Sequence, residues 1–187
     1  MQIKERSILD KFCIRFCRII QKYTKYIVVS GFVAIASGRV RGTEDIDMII
    51  EKISKEDFVK LHNELIKNNF VCMQSDDPVE IYDSYLNAKI NIRYTNKNEL
   101  VPQMEIKFPK DDLDEYQIET RIKIPLTGLD IWFSSINMNI AFKEEYLKSD
   151  KDLEDARHLR IVYEDKIDED EIKKIKEKIR KTRLNER

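Results

Sequence analysis

The chain has 187 residues, 42% of them hydrophobic, which suits one compact domain or a domain with a helical extension. Charged residues make up 37%, yet the formal net charge is −1. Acids and bases are interspersed, which excludes a global basic signal for nucleic acid and leaves only a local basic patch.

Repeats, low-complexity tracts and apolar runs long enough to span a bilayer are absent. The opening MQIKERSILDKF lacks the uninterrupted apolar core of a signal peptide, so a cytoplasmic protein is expected. Cys13, Cys17 and Cys72 are odd in number and poorly spaced for a disulfide framework. Cys13 and Cys17 read as two buried thiols on one apolar helix face.

Residues 5–24 place Ile8, Phe12, Phe16, Ile19 and Ile20 at helical spacing and predict an amphipathic helix. Tyr26-Ile27-Val28-Val29 reads as a short buried strand, broken by Ser30-Gly31. Residues 32–37 read as a short apolar helix, and residues 38–43 as a loop carrying Arg39 and Arg41. Asp45 to Ile50 is a second strand. Ser54 suits an N-cap, followed by a helix to about Asn68 and an edge strand at Phe70–Met73. Clean alternation predicts further strands at 88–94, 104–108 and 121–124. From Ser134 the pattern turns helical, over roughly 134–148, 151–163 and 168–184. The last helix is acidic at its start and basic at its end, which complements its dipole. The class is therefore α/β or α+β. A sheet part at 1–130 with its N-terminal helix is expected to carry a helical part at 131–187 as a single compact unit.

In a strand, residues i and i+2 share a face, so Asp45 and Asp47 project together while Ile46, Met48 and Ile50 point to a core. Paired carboxylates repel each other, and a hard divalent cation relieves that repulsion. Upstream, backbone N–H groups at the start of the short helix can hold phosphate, and Gly31 lets it approach. Arg41 and Thr43 lie in the loop just before the acids, placed to reach triphosphate oxygens. His62 and His158 read as packed or surface histidines.

The stretch VVSGFVAIASGRVRGTEDIDMII resembles the signature of the nucleotidyltransferase superfamily: a Gly-Gly or Gly-Ser pair, a short helix, then Asp-x-Asp on a strand. More narrowly it resembles the abortive-infection, type IV toxin-like nucleotidyltransferases and their prokaryotic relatives, whose Arg-x-Thr/Ser-x-Asp-x-Asp run is matched by Arg41, Thr43, Asp45 and Asp47. A second patch matches a family lysine and a Lys-Asp-x-x-Asp helix start: Lys143 in IAFKEEYLKS, then Lys151, Asp152 and Asp155 in KDLEDARHL. The resemblance implies a nucleotidyltransferase fold, a mixed sheet flanked by helices with a C-terminal helical part. By the same resemblance Asp45 and Asp47 bind Mg²⁺ or Mn²⁺, Ser30 and Gly31 hold the triphosphate, and Lys143 contacts the nucleotide. Asp152 or Asp155 lies near the acceptor or nucleotide as a candidate base. The implied partners are an NTP and an acceptor that could be an RNA end, a protein hydroxyl or a small molecule. The alternative is a catalytically silent module that binds nucleotide or a protein partner in a toxin–antitoxin-like system.

The chain departs from the pattern twice. Ser30 replaces the first glycine, which requires a negative φ at that serine. By the same resemblance, the third carboxylate carried by many superfamily members is replaced here by Asn91, with Glu105 or, less directly, Asp83 as substitutes.

Overall fold

The computed structural model describes residues 6–184. Five strands form one mixed sheet in the order β1-β2-β5-β4-β3, with β1 at Tyr26–Val29, β2 at Asp45–Ile50, β3 at Phe70–Cys72, β4 at Ile92–Asn96 and β5 at Gln103–Lys107. The central pair β2–β5 is parallel and the other pairings are antiparallel.

One sheet face is lined by Ile46, Met48, Ile50, Ile92, Tyr94, Met104 and Ile106, all buried. Helix α1 (Ile8–Ile20) and helix α3 (Lys55–Lys67) cover this face. Phe16 meets Phe70 and Tyr94 ring to ring, and His62 on α3 bonds the Tyr94 hydroxyl at 2.8 Å. Ser7 caps α1 in a reciprocal pair with Asp10, and Ser54 caps α3, so both helices start where the capping chemistry places them. Cys13 and Cys17 are buried free thiols with sulfurs 3.9 Å apart.

The opposite face is polar at its upper end, where Asp47, Glu105 and Lys107 project, and apolar below, where Ile27 and Ile49 pack on Ile118. Ile118 belongs to α5 (Asp112–Glu119), a helix with too little apolar periodicity to stand out in the sequence. Helix α4 (Pro78–Glu80) continues as a π turn to Leu86, an element the sequence reading does not include. Residues 121–124 form no strand; Ile122 makes an isolated bridge to Phe133, which also bridges Val28 at the sheet edge. The strand expected at 88–94 starts later, at Ile92, so Asn91 lies just outside it.

The helical third holds α6 (Ile136–Phe142), α7 (Asp150–Val162) and α8 (Glu169–Ile179). Two of these continue as π turns, Lys143–Leu147 after α6 and Arg180–Leu184 after α8. Ile140, Leu159, Ile172, Ile175 and Ile179 join the same core cluster as the sheet residues. Helix α2 (Gly31–Ala36) links β1 to the loop before β2, and Ser37 at its end bonds Tyr163 at 2.8 Å. Among the described residues no helix is long and apolar enough to cross a membrane.

Candidate active site

Strand periodicity places Asp45 and Asp47 together on the polar face, Asp45 exposed and Asp47 half-buried, while Ile46 and Met48 are buried behind them. Register then supplies a third acid. Glu105 on β5 pairs directly with Asp47 across the parallel ladder. Asn91 is close but is not that acid: its amide donates to Glu105 Oε1 at 2.6 Å, and Arg93 Nε donates to Oε2 at 2.9 Å. The carboxylate that register sets beside Asp47 is therefore Glu105 rather than a group at Asn91, because β5 and not β4 neighbours β2. Asp83 is remote, ion-paired at the surface with Lys55.

Burial raises the Asp47 pKa above the ordinary carboxylate value, and the like charges of Glu105 and Asp45 add to this against the Ser30 hydroxyl and Lys107. Among the described residues no three His, Cys, Asp or Glu side chains converge into a ready-made metal site. The donor set nonetheless suits a hard divalent cation: oxygen ligands only, and an acid whose ionised form is disfavoured by its neighbours.

The turn into α2 is unusual. Ser30 has φ 64° and ψ −134°, a conformation that favours glycine, so the negative φ expected for a serine here is not what the structure shows. Such backbone costs about 1–3 kcal/mol and persists where the surroundings impose it. Ser30→Gly is therefore expected to stabilise the protein by about 1 kcal/mol, after allowing for glycine's freer unfolded chain, or a Tm gain of roughly 2–4 °C. Ser30→Ala loses the same hydroxyl without relieving the backbone and should give no gain; equal melting shifts in calorimetry would show that φ is not the cause.

Gly31 has a different constraint. A Cβ there would lie 2.0 Å from Arg41 Nη2, so any side chain pushes the guanidinium away. That guanidinium makes a two-point contact with Asp155, Nε to Oδ1 at 3.1 Å and Nη2 to Oδ2 at 2.9 Å. Lys143 Nζ donates to the same Asp155 Oδ2 at 2.9 Å and to Asp152 Oδ1 at 3.1 Å. Arg39 Nε sits 2.6 Å from Asp155 Oδ1, an ion pair whose direction does not make a hydrogen bond. Asp155 is fully buried and Lys143 nearly so. Burial opposes ionisation of Asp155, but the hydrogen bonds from Arg41 and Lys143 overcome it and hold its pKa below the usual value. Asp155 is thus a buried carboxylate that accepts three hydrogen bonds from Arg41 and Lys143 and fixes where those cations sit, while the resemblance makes it a candidate base.

The remaining residues divide clearly. Ser30, Asp47, Glu105, Asn91 and Lys143 line one cavity of about 170 Å³, brought together from β1, β2, β5, the loop before β4 and the end of α6. Asp152 reaches Lys143 and is fixed by the Ser149 hydroxyl at the start of α7. Thr43 donates to the Asp45 backbone oxygen at 3.0 Å, which shapes the entry to β2. Lys151 is exposed on the first turn of α7 and does not line the cavity. His158 bonds the Ser37 backbone oxygen. Sequence reasoning passed over Arg93, the clamp on Glu105, and the wall formed by Phe142, Tyr146 and Arg183. No local pattern signals them, because each gains its position from a partner distant in the chain.

No family model and no curated protein matches the chain. Solved structures do. An antigenic nucleotidyltransferase-like protein from Paracoccidioides brasiliensis superposes with a TM-score of 0.55 at 15% identity, covering 95% of this chain and 89% of that one. The antibiotic-resistance factor ANT(2″)-Ia superposes with a TM-score of 0.52 at 13% identity, covering 94% of this chain and 95% of that one. With its mixed five-stranded sheet and the helices around it, the chain has the nucleotidyltransferase-like fold.

Proposed function

We propose that the protein is a metal-dependent nucleotidyltransferase that moves a nucleoside monophosphate from an NTP to an acceptor hydroxyl. The observation that carries this reading is the convergence of Asp47, Glu105, Ser30 and Lys143 on one cavity. The structural neighbour named as nucleotidyltransferase-like supports it.

In this reading Asp45, Asp47 and Glu105 hold Mg²⁺ or Mn²⁺. Bound there, the metal supplies charge stabilisation on the phosphate oxygens and eases deprotonation of the acceptor. The acceptor oxygen bonds to the α-phosphorus as the bond to pyrophosphate breaks. Asp47 or Glu105 takes the acceptor proton. Ser30 and Gly31 present the turn to the phosphates, and Lys143 supplies positive charge beside them. Asp155 and Asp152 act through Lys143, and Asp155 also through Arg41, by fixing where those cations sit. Arg41 and Thr43 shape the phosphate side of the entrance. The acceptor classes are an RNA 3′ end, a protein hydroxyl and a small molecule.

One observation favours a second reading, a silent nucleotide- or partner-binding module, including one of a toxin–antitoxin-like pair. Glu105 is tied to Arg93 and Asn91, so it must loosen before it can complete a metal site. Transfer from α-labelled NTPs, tested with Mg²⁺ or Mn²⁺ against bulk RNA, the protein itself and small hydroxyl compounds, separates the two. Label transfer that is lost in Glu105→Gln supports the enzyme. Nucleotide binding without transfer to any acceptor supports the module.

Asn91→Asp is a sharper probe of the same point. It replaces a donor 2.6 Å from Glu105 with a second carboxylate. Without metal, the like charges should cost about 1 kcal/mol, and transfer should stay flat or fall. A rise in transfer would mean that Asn91, not Glu105, marks the third ligand position.

A further inference from the structure

The cavity lining is of two chemical kinds: Asp47, Glu105, Ser30 and Lys143, and an aromatic and guanidinium group of Phe142, Tyr146 and Arg183 with Leu147. We propose that this second group, Tyr146 with the guanidinium of Arg183, is the subsite for the nucleobase. The proposal rests on the nucleotidyltransferase reading and names the part of the nucleotide that reading leaves unplaced.

The local backbone explains how the two groups are linked. After α6 the helix widens into the π turn Lys143–Leu147, closed by the Lys148 N–H donating to the Lys143 carbonyl at 3.0 Å. π turns concentrate at functional sites, because the extra residue re-aims side chains. Here it directs Lys143 and Tyr146 into the same cavity from a single turn. Lys143 is anchored by Asp155 and Asp152, so the turn cannot rotate freely and Tyr146 is held at a set spacing from the ammonium.

The aromatic wall is also fixed. Phe142 and Tyr146 meet edge to face with centroids 6.2 Å apart. The Arg183 guanidinium lies 4.8 Å from the Phe142 centroid and 5.4 Å from that of Tyr146. Asp111 holds Arg183 at two points, 2.8 and 3.0 Å, and Asp114 adds a third at 2.7 Å. These bonds use Nε and Nη2; Nη1 makes no hydrogen bond among the described residues. A planar ring beside a planar guanidinium suits a nucleobase, since both surfaces stack on π faces of any base. The Nη1 donor adds a contact for an acceptor on the base edge.

The test compares two probes in the presence of Mg²⁺: a non-hydrolysable NTP analogue and inorganic tripolyphosphate, each titrated calorimetrically into wild-type protein, Tyr146→Leu and Tyr146→Phe. Leucine keeps the apolar packing but removes the π face, and thermal melting confirms folding of each variant. The expected result is NTP affinity lower by about tenfold or more in Tyr146→Leu, in line with the loss of one base–aromatic stack. Tripolyphosphate affinity stays unchanged, and Tyr146→Phe retains both. Equal weakening of both probes, or no weakening of either, overturns the subsite while leaving the nucleotidyltransferase reading standing. Wild-type protein that binds neither probe overturns the nucleotidyltransferase reading and the subsite with it.

Discussion

Asp155→Ala is expected to destabilise the fold by about 3–5 kcal/mol, the cost of removing one partner from a buried ion cluster. For a chain of this size that lowers Tm by roughly 10 °C or more. Asp155 is fully buried and compensates Arg39, Arg41 and Lys143 at once. Without it, Lys143, itself 1% exposed, keeps only Asp152 as a counter-ion. Asp155→Asn should be nearly as damaging, since its amide would point donors at cations that can only donate. Urea unfolding followed by Trp132 fluorescence gives the measurement. A loss under about 1 kcal/mol would show that water or other groups compensate these cations, and that Asp155 does not set their positions. Because the folded state holds the Asp155 pKa below 3.8, its contribution is present above that pH and disappears as the pH falls further, through the depressed value. The acid limb of the stability curve should therefore flatten in the alanine variant.

Asp47→Asn should act in opposite directions on stability and on activity. Burial first, then Glu105 and Asp45, raise the Asp47 pKa. The folded state thus holds the Asp47 proton more tightly than the unfolded chain does. Stability is lost as pH rises from 3.8 through the raised value, and the loss is then constant at neutral pH. Removing the charge at pH 7, without metal, should stabilise the protein by about 0.2–1 kcal/mol, the usual cost of like charges facing each other across strands. With a divalent cation the order reverses. Wild-type protein should gain about 2.7 kcal/mol at a metal concentration a hundred times Kd, while the variant gains little. Transfer should fall by about 10²–10³-fold, as for loss of one group aimed at transition-state charge. Melting curves with and without Mg²⁺, run beside the transfer assay, check all three. A variant that responds to metal as strongly as wild type would remove Asp47 from the site.

Features governed by short-range rules were legible in the sequence. The two-residue period of a strand puts Asp45 and Asp47 on one face, and it needs no knowledge of neighbours. Ser54 and the acidic start of the last helix mark helix beginnings by local capping and dipole chemistry. The order of strand, Ser-Gly turn, short helix, basic loop and acid pair was also readable, because those parts are contiguous.

The identity of the third acid was not legible. Asn91 and Glu105 lie on segments with similar alternation, and only the strand order, with β5 between β2 and β4, brings Glu105 to Asp47. That order follows from which apolar faces pack and how loops close over tens of residues, neither of which a local pattern encodes. The same holds for the positive φ at Ser30, imposed by the turn from β1 into α2 against a serine's own preference. It holds too for how Asp155 sits: the resemblance marks it as a candidate base, but not as the partner of three cations. Only tertiary packing buries it among Arg39, Arg41 and Lys143, where low dielectric makes its charge the one that fixes three cations.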